Sequence, residues 1–426
     1  MATTYLTSNI GSPNQQRFTW SVWVKRSKLG VEQHIAGNYN VGNRTHLFFT
    51  NTEKLYLYAE LSSSNVVAYQ TNRLFRDLNA WYHIVCAVDT TQAGGNRIRI
   101  YVNGEEETSF ATETECNQNT NLSIGTTHYI GTYGGSAGSA SYSFDGSISH
   151  LHFVDGLQLT PSTFGETDST TGEWKIKTDV SVTYGSSGYF ILKDGNSVTD
   201  QSGNGNNFTV AGGTLTKTED CPSNVFATWN PLSCGSGMEF QYGNTRARKD
   251  TSGYISVLGT IGFGSGKYYW ENYRHGGGNQ NIGICLAEKD GTTHSSVDAG
   301  RVAWGSSTVY IGSDTGISGG NVSTGTTYGD TDIIGCSLDT ENGVMKFYKN
   351  GSLVTTITDS NLEFTNKQYI PCWQGDSGGE VRSNFGNGYF GTTAVASAGT
   401  NASGIGIFEY DVPTGYTALS TKGLNE

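Results

Sequence analysis

The sequence predicts an all-β protein: two antiparallel β-sandwiches with a β-rich connector. Three observations carry this. The chain has 426 residues, too many for one ordinary core, and two domains of roughly 150–200 residues are the natural division. It holds 58 Gly but only 6 Pro, with 12% aromatic residues and recurring Thr, Ser and Asn. Aromatic and β-branched residues favour strands, while Gly, Asn, Asp and Ser favour tight turns. Apolar residues recur with a period of two, and no segment longer than about two turns shows the helical period.

The elements follow in order. In "RFTWSVWVKR" (17–26), Phe18, Trp20, Val22 and Val24 alternate with polar residues and Trp23, which reads as a half-buried strand. "HLFFT" and "KLYLYAEL" are strands separated by the turn letters "NTE". "AWYHIVCAVD" (80–89) is apolar at nearly every position and reads as a central strand. "RIRIYVNGE" puts Ile98, Ile100 and Val102 on one face, with the hairpin dipeptide Asn-Gly at 103–104. "TPSTFGE" reads as one short helical turn capped by Thr160. Residues 166–222, broken by Gly, Asn and Ser, read as a structured connector between domains at 1–165 and 223–391. The second domain runs through "GKYYWEN", "QNIGICLAE", "DIIGCSLDTENGVMKFYKNGSLV", "KQYIPCWQ" and "EVRSNFGNG". There Met345 and Phe347 point inward and Asn-Gly at 350–351 turns the hairpin. Residues 392–426 read as an extended segment packed on a sandwich. Trp20, Trp81 and Trp270 belong to cores.

Residues 1–165, through "FTWSVWVK", "WYHIVCAVD", "RIRIYVNGE" and "FDGSISHLHFVDGLQLT", resemble the laminin-G-like, concanavalin-type sandwich superfamily. Residues 223–391 resemble a SPRY domain, most specifically through "LDTENG" to "MKFYKNG" and through Tyr369, Pro371 and "NFG" at 384–386. The resemblance implies a concanavalin-like jelly roll followed by a SPRY-like sandwich. These motifs specify a fold well and a function poorly.

Composition excludes several classes. The formal net charge of −12 opposes binding to nucleic acid or an anionic membrane, both of which need clustered Lys and Arg. No apolar run approaches the roughly 20 residues of a membrane-spanning helix. The opening residues show no basic n-region or apolar h-region, which predicts synthesis without a secretory signal. None of the seven Cys forms a Cys-x-x-Cys pair, and Cys86, Cys285 and Cys336 sit in apolar strand-like runs as small buried hydrophobes.

Several motifs invite catalytic readings. "GDSGG" (375–379) carries the nucleophile signature of chymotrypsin-like proteases. The nearest preceding His, His294 and His275, lack the context of a catalytic base, and the stretch reads instead as a turn between two late strands. The Glu-x-Asp-x-x-Glu pattern of concanavalin-like glucanases is missing, because "ETD" (166–168), "EKD" (288–290) and "EYD" (409–411) lack the closing Glu. "GFGSGK" (262–267) lacks the spacing of a phosphate loop and leads into a strand. "DQSGNG" (200–205) opens like a calcium loop, but Ala211 stands where the bidentate Glu belongs. No cofactor is implied. A metal site stays open, since the resemblance is to sandwiches that assemble one from distant loops.

Binding remains. Sugar recognition needs aromatic faces and hydrogen-bonding side chains together, and loop stretches at 37–46, 127–142, 273–281, 305–320 and 373–380 carry both. The ligand-binding residues so selected are Tyr39, Asn43, Tyr133, Tyr142, Arg274, His275, Trp373 and Asp376. The tandem sandwiches in an acidic Gly/Ser/Thr/Asn-rich chain are similar to structural proteins of tailed bacteriophages. That resemblance implies a non-enzymatic virion surface protein, a tail fibre, adhesin or head decoration. Its partners would be host-surface carbohydrate and other virion proteins, in a homo-oligomer. Three rivals stand beside it. A polysaccharide depolymerase predicts a carboxylate pair in a cleft. A cement protein predicts loop aromatics buried against another chain, and an intracellular adaptor predicts peptide binding.

Overall fold

The computed structural model describes residues 4–134, 142–193, 197–291 and 299–425. It is 45% strand and 3% helical, and its strands pair antiparallel except for Thr417–Ala418, which pairs in parallel with Lys267–Gly276. Two compact units result: residues 1–217 with 221–223, and residues 218–220 with 224–426.

The first unit packs an eight-stranded sheet on a six-stranded one. The larger sheet runs Phe110–Thr114, Ser64–Thr71, Leu55–Leu61, Asn43–Phe49, Gln33–Asn40, Thr127–Ile130, Tyr5–Asn9, Thr209–Gly212. The smaller runs Tyr189–Ile191, Gly146–Asp155, Arg17–Arg26, Tyr82–Asp89, Ile98–Val102, Glu105–Glu106. Alternation along each strand sends one set of side chains into the shared core. Phe18, Trp20, Val22 and Val24 meet Leu47, Phe49, Leu55 and Leu57 there. Trp20 and Cys86 are buried as expected, and Trp81 is buried too. Asn103 takes φ 50° in the Asn-Gly turn, as a primed hairpin turn requires.

The expected connector is part of this sandwich. Tyr189–Ile191 extends the smaller sheet beside Gly146–Asp155, and Thr209–Gly212 pairs with Tyr5–Asn9 at the edge of the larger one. Its Gly and Asn breaks hid short strands of three and four residues. Within it, Asp200 is wrapped by its own turn, accepting from the backbone N–H groups of Phe190, Ser202 and Asn206. The short turn at Pro161–Thr163 forms, but Thr160 makes no side-chain cap: its hydroxyl pairs with that of Ser162 instead.

The second unit is also two sheets. One runs Trp229–Cys234, Ile255–Gly259, Tyr369–Gly375, Gln280–Leu286, Arg301–Gly305, Thr308–Ile311, Val322–Ser323. The other runs Met238–Gln241, Arg246–Lys249, Gly379–Asn384, Lys267–Gly276, Ile333–Asp339, Val344–Lys349, Ser352–Thr358. Trp229, Trp270, Trp304, Met345 and Phe347 fill the core between them. Asn350, at φ 48°, turns the hairpin between Val344–Lys349 and Ser352–Thr358.

The C-terminal residues pack onto this second unit. Thr417–Ala418 adds in parallel to Lys267–Gly276, and Ile405, Phe408, Val412 and Tyr416 cluster with Phe226 and Tyr269. Glu271 anchors the segment. Its fully buried carboxylate accepts the backbone N–H groups of Glu409 at 2.8 Å and Tyr410 at 2.9 Å, and the Tyr269 hydroxyl at 3.1 Å.

Candidate functional site: a tyrosine face on the first sandwich

The larger sheet of the first unit has a second face, turned from the core. Leu47 and Phe49 point inward, so Arg44, His46 and Phe48 point outward by alternation. On the neighbouring strand Leu55 and Leu57 point inward, leaving Tyr56, Tyr58 and Glu60 outward. The registers Tyr39↔Arg44, His46↔Tyr58 and Phe48↔Tyr56 place these residues side by side. Gly37 sits opposite His46, where a Cβ would lie 2.5 Å from the imidazole, so the absent side chain makes room for that ring.

Two further tyrosines complete the face. Tyr142 is held by its carbonyl, which accepts the His34 N–H at 3.0 Å. Tyr133 lies between Tyr39 and Tyr142, with ring centroids 5.1 Å and 5.3 Å away. It stacks on His46 at 4.8 Å with an 8° interplanar angle. The Arg44 guanidinium lies over both Tyr58, at 5.7 Å, and Tyr133, at 5.4 Å. Glu60 neutralises that guanidinium at 2.5 Å and lies 3.0 Å from the Tyr58 hydroxyl, which donates to it. Below, His34 stacks on Phe48 and meets His46 edge-on at 4.9 Å. Burial pushes both imidazoles below their usual pKa range, and at His46 the neighbouring His34 and Arg44 push further. At neutral pH the face therefore presents Arg44 against Glu60 and Glu32, with neutral rings between.

Three of the residues selected from sequence meet here: Tyr39, Tyr133 and Tyr142. The stretch 37–46 is not a loop, as expected, but two strand ends joined by a tight turn. Asn43 is on the other parity from Arg44. Its Oδ1 accepts the Ser62 N–H at 3.1 Å and so ties two hairpins together rather than lining the tyrosine face. Arg44, His46, Tyr56 and Tyr58 were missed. Their signal was the alternation of "NRTHLFF" and "LYLYAEL", where aromatic and polar residues occupy the positions between core aliphatics.

The other four residues lie in the second unit. Trp373 is a correction: it is 0% exposed, within the strand Tyr369–Gly375, and its indole N–H donates to Gln280 Oε1. It fills the core and has no face to offer a ligand. Arg274 and Asp376 share one end of the sandwich. The Arg274 guanidinium donates to the carbonyls of Gly276 and Gly278, and Asp376 N–H donates to Asn279 O at 3.1 Å. Gly278, at φ 70°, approaches so closely that a Cβ would sit 1.8 Å from Asp376 O. His275 is nearby on the same strand as Arg274, with Nδ1 3.4 Å from Asp330. Here the polar groups mainly hold their own loop. "GDSGG" is the turn between Tyr369–Gly375 and Gly379–Asn384, with Gly379 N–H closing on Asp376 O. The exposed Ser377 hydroxyl donates to Asp376. His294 lies outside the described residues.

A serine–histidine pair that sequence reading missed occurs in the first unit, Ser21 Oγ lying 2.9 Å from His83 Nε2. The Trp174 indole N–H donates to His83 Nδ1, so the neutral ring carries its proton on Nε2 and donates to Ser21. That tautomer cannot take a proton from the hydroxyl, and both side chains are buried. The pair is a packing device.

Two family models match the chain. Residues 1–163 match the concanavalin A-like lectin/glucanases superfamily. Residues 267–388 match the SPRY domain. Among solved structures, a heptameric SAP-like pentraxin from Limulus polyphemus is similar at 19% identity and a TM-score of 0.29, covering 37% of this chain and 71% of that one. The SPRY domain of human HERC1 is similar at 19% identity and a TM-score of 0.28, covering 36% of this chain and 96% of that one. The TRIM65 PSpry domain is similar at 14% identity and a TM-score of 0.30, covering 37% of this chain and 88% of that one. No curated protein matches.

Proposed function

We propose that the chain is a non-enzymatic glycan-binding protein of a bacteriophage virion surface, and that the tyrosine face of its first sandwich takes a neutral saccharide. The observation that carries this is the convergence of Tyr39, Tyr133 and Tyr142, in ring contact, beside Tyr58 and Arg44. Aromatic faces suit the apolar C–H side of a pyranose and hold a large contact area with little side-chain entropy. Arg44 is committed to Glu60, and Glu32 to His34, so no unopposed cation is left for a sugar carboxylate or sulfate. Single contacts of this kind are weak, and repetition of the chain in a symmetric assembly would raise avidity. The virion setting rests on the resemblance of the tandem arrangement alone.

The test is a binding panel of neutral hexasaccharides beside their uronate counterparts. The reading expects binding of at least one neutral member and weaker binding of its uronate analogue. A panel with no binder, or a preference for the uronates, would overturn it.

A further inference from the structure

Three ring nitrogens under the tyrosine face are buried without a hydrogen-bond partner: His34 Nδ1, His46 Nδ1 and His46 Nε2. His34 Nε2 lies 2.8 Å from Glu32 Oε1, so the neutral ring carries its proton there and donates it. An additional proton on His34 must go to Nδ1, which has no acceptor. An additional proton on His46 leaves two buried N–H donors with none. A buried donor without an acceptor is costly, and a buried cation more so.

The groups around the pair offer little relief. Glu32, at the entry to the strand Gln33–Asn40, touches His34. Arg44 comes from the next strand, and Tyr56, Tyr58 and Glu60 from the one beyond. Tyr39, Tyr133 and Tyr142 close the outer side. Glu60 is bound to Arg44, and residues 135–141, "GSAGSAS", hold no titratable side chain. A cation on His46 would stand 4.9 Å from His34, and the Tyr133 ring stacked on it already carries Arg44. Among the described residues no acceptor pairs with these nitrogens, and the Tyr133 ring lies stacked over His46.

We propose that the His34–His46 pair is an acid switch of the tyrosine face: protonation drives Tyr133 off His46, admits water and dismantles the saccharide surface. What is released rests on the function proposed above, whereas the ring displacement stands without it. The low pKa of both imidazoles keeps the face assembled at neutral pH.

Hydroxyl-radical footprinting of the full chain, read by mass spectrometry at pH 7.5 and pH 5.0, tests the displacement. Circular dichroism establishes that both samples are folded. The expected result is a rise of roughly three-fold or more in Tyr133 oxidation at the lower pH, with Tyr273 of the second unit unchanged. His46→Phe, which keeps an aromatic ring against Tyr133, should show no rise. Unchanged Tyr133 labelling in the folded wild type, or an equal rise in His46→Phe, overturns the switch. Should that variant fail to fold, NMR of the wild-type His46 ring decides. Titration of His46 in step with a Tyr133 ring shift supports the proposal, and titration only on unfolding overturns it. Neither readout uses a saccharide, so failure of the switch and failure of glycan binding are separate results.

Discussion

Each unit carries a cluster of the same four residue types on an outer sheet face, and the two clusters are built differently. In the first, Tyr133 has Arg44 over its ring, His46 beneath it and Glu60 on the arginine. In the second, Tyr273 has Arg382 over its ring at 5.9 Å, His275 stacked at 6.2 Å, and Glu380 on the arginine at 2.6 Å. Four more tyrosines, Tyr39, Tyr56, Tyr58 and Tyr142, share the face of the first cluster. The second has one tyrosine, packed against Phe390, and Glu380 also holds Arg246 at 2.6 Å. The histidines differ most. His46 is wholly buried with neither ring nitrogen hydrogen-bonded, while His275 is partly exposed, its Nδ1 3.4 Å from Asp330 and also without a hydrogen bond. The same side chains thus make an aromatic surface over unpartnered imidazoles in one unit and an arginine–glutamate network in the other.

The buried titratable groups extend this contrast to the whole units. In the first unit, burial lowers the pKa of His34, His46, His83, His128 and His152, those of His83 and His128 to about 3. Burial holds these imidazoles neutral in the fold at pH values where the unfolded chain, near 6.5, already protonates them. Their contribution is complete above that pH and is lost as pH falls below it. In the second unit, burial raises Glu271 to about 7, against the hydrogen bonds from Glu409, Tyr410 and Tyr269 that lower it. The folded state then keeps a proton that the unfolded chain releases. Its contribution is complete below about 4.5 and lost as pH rises through 7.

The largest expected effect is that acid separates the units. Lowering pH from 7.5 to 4.5 should cost the first unit on the order of 5 kcal/mol through His83 and His128 alone. Calorimetry should show its transition falling by roughly 10–20 °C while that of the second unit moves far less. Parallel shifts of both transitions would break the contrast. A smaller effect is expected at Glu271. Glu271→Gln leaves one oxygen acceptor for two backbone N–H groups and should cost about 1–3 kcal/mol in the second unit. It should also remove the decline in that unit's stability between about pH 4.5 and 7, which a pH series of denaturant melts would reveal. Persistence of the decline in the variant would assign it to another group. The smallest effect belongs to Ser377→Ala, at an exposed turn. Its unfolding free energy, read from denaturant melts, should stay within about 0.5 kcal/mol of the wild type.

The sandwich cores were legible in the sequence because period-two alternation and Asn-Gly turns are local signals. Trp20, Met345, Phe347 and the turn at 375–379 all lie where those signals put them. The role of residues 166–217 was not legible, since strands of three or four residues gain their identity only from a distant edge such as Tyr5–Asn9. The tyrosine face was half legible. Tyr39, Tyr133 and Tyr142 stood out as aromatics among turn letters, but Arg44, His46 and Tyr58 join them only through cross-strand register. Trp373 misled for the same reason. Beside "GDSGG" it looked like a loop residue, while parity along Tyr369–Gly375 turns it into the core.

The most direct test of the central claim compares one tyrosine from each cluster. Tyr133→Ala and Tyr273→Ala would be titrated calorimetrically with the neutral hexasaccharide that binds the wild type best. Loss of roughly ten-fold or more in affinity for Tyr133→Ala, with Tyr273→Ala unchanged, is the predicted result. An unchanged affinity for Tyr133→Ala, with the loss at Tyr273→Ala, would contradict it and move the site to the second sandwich.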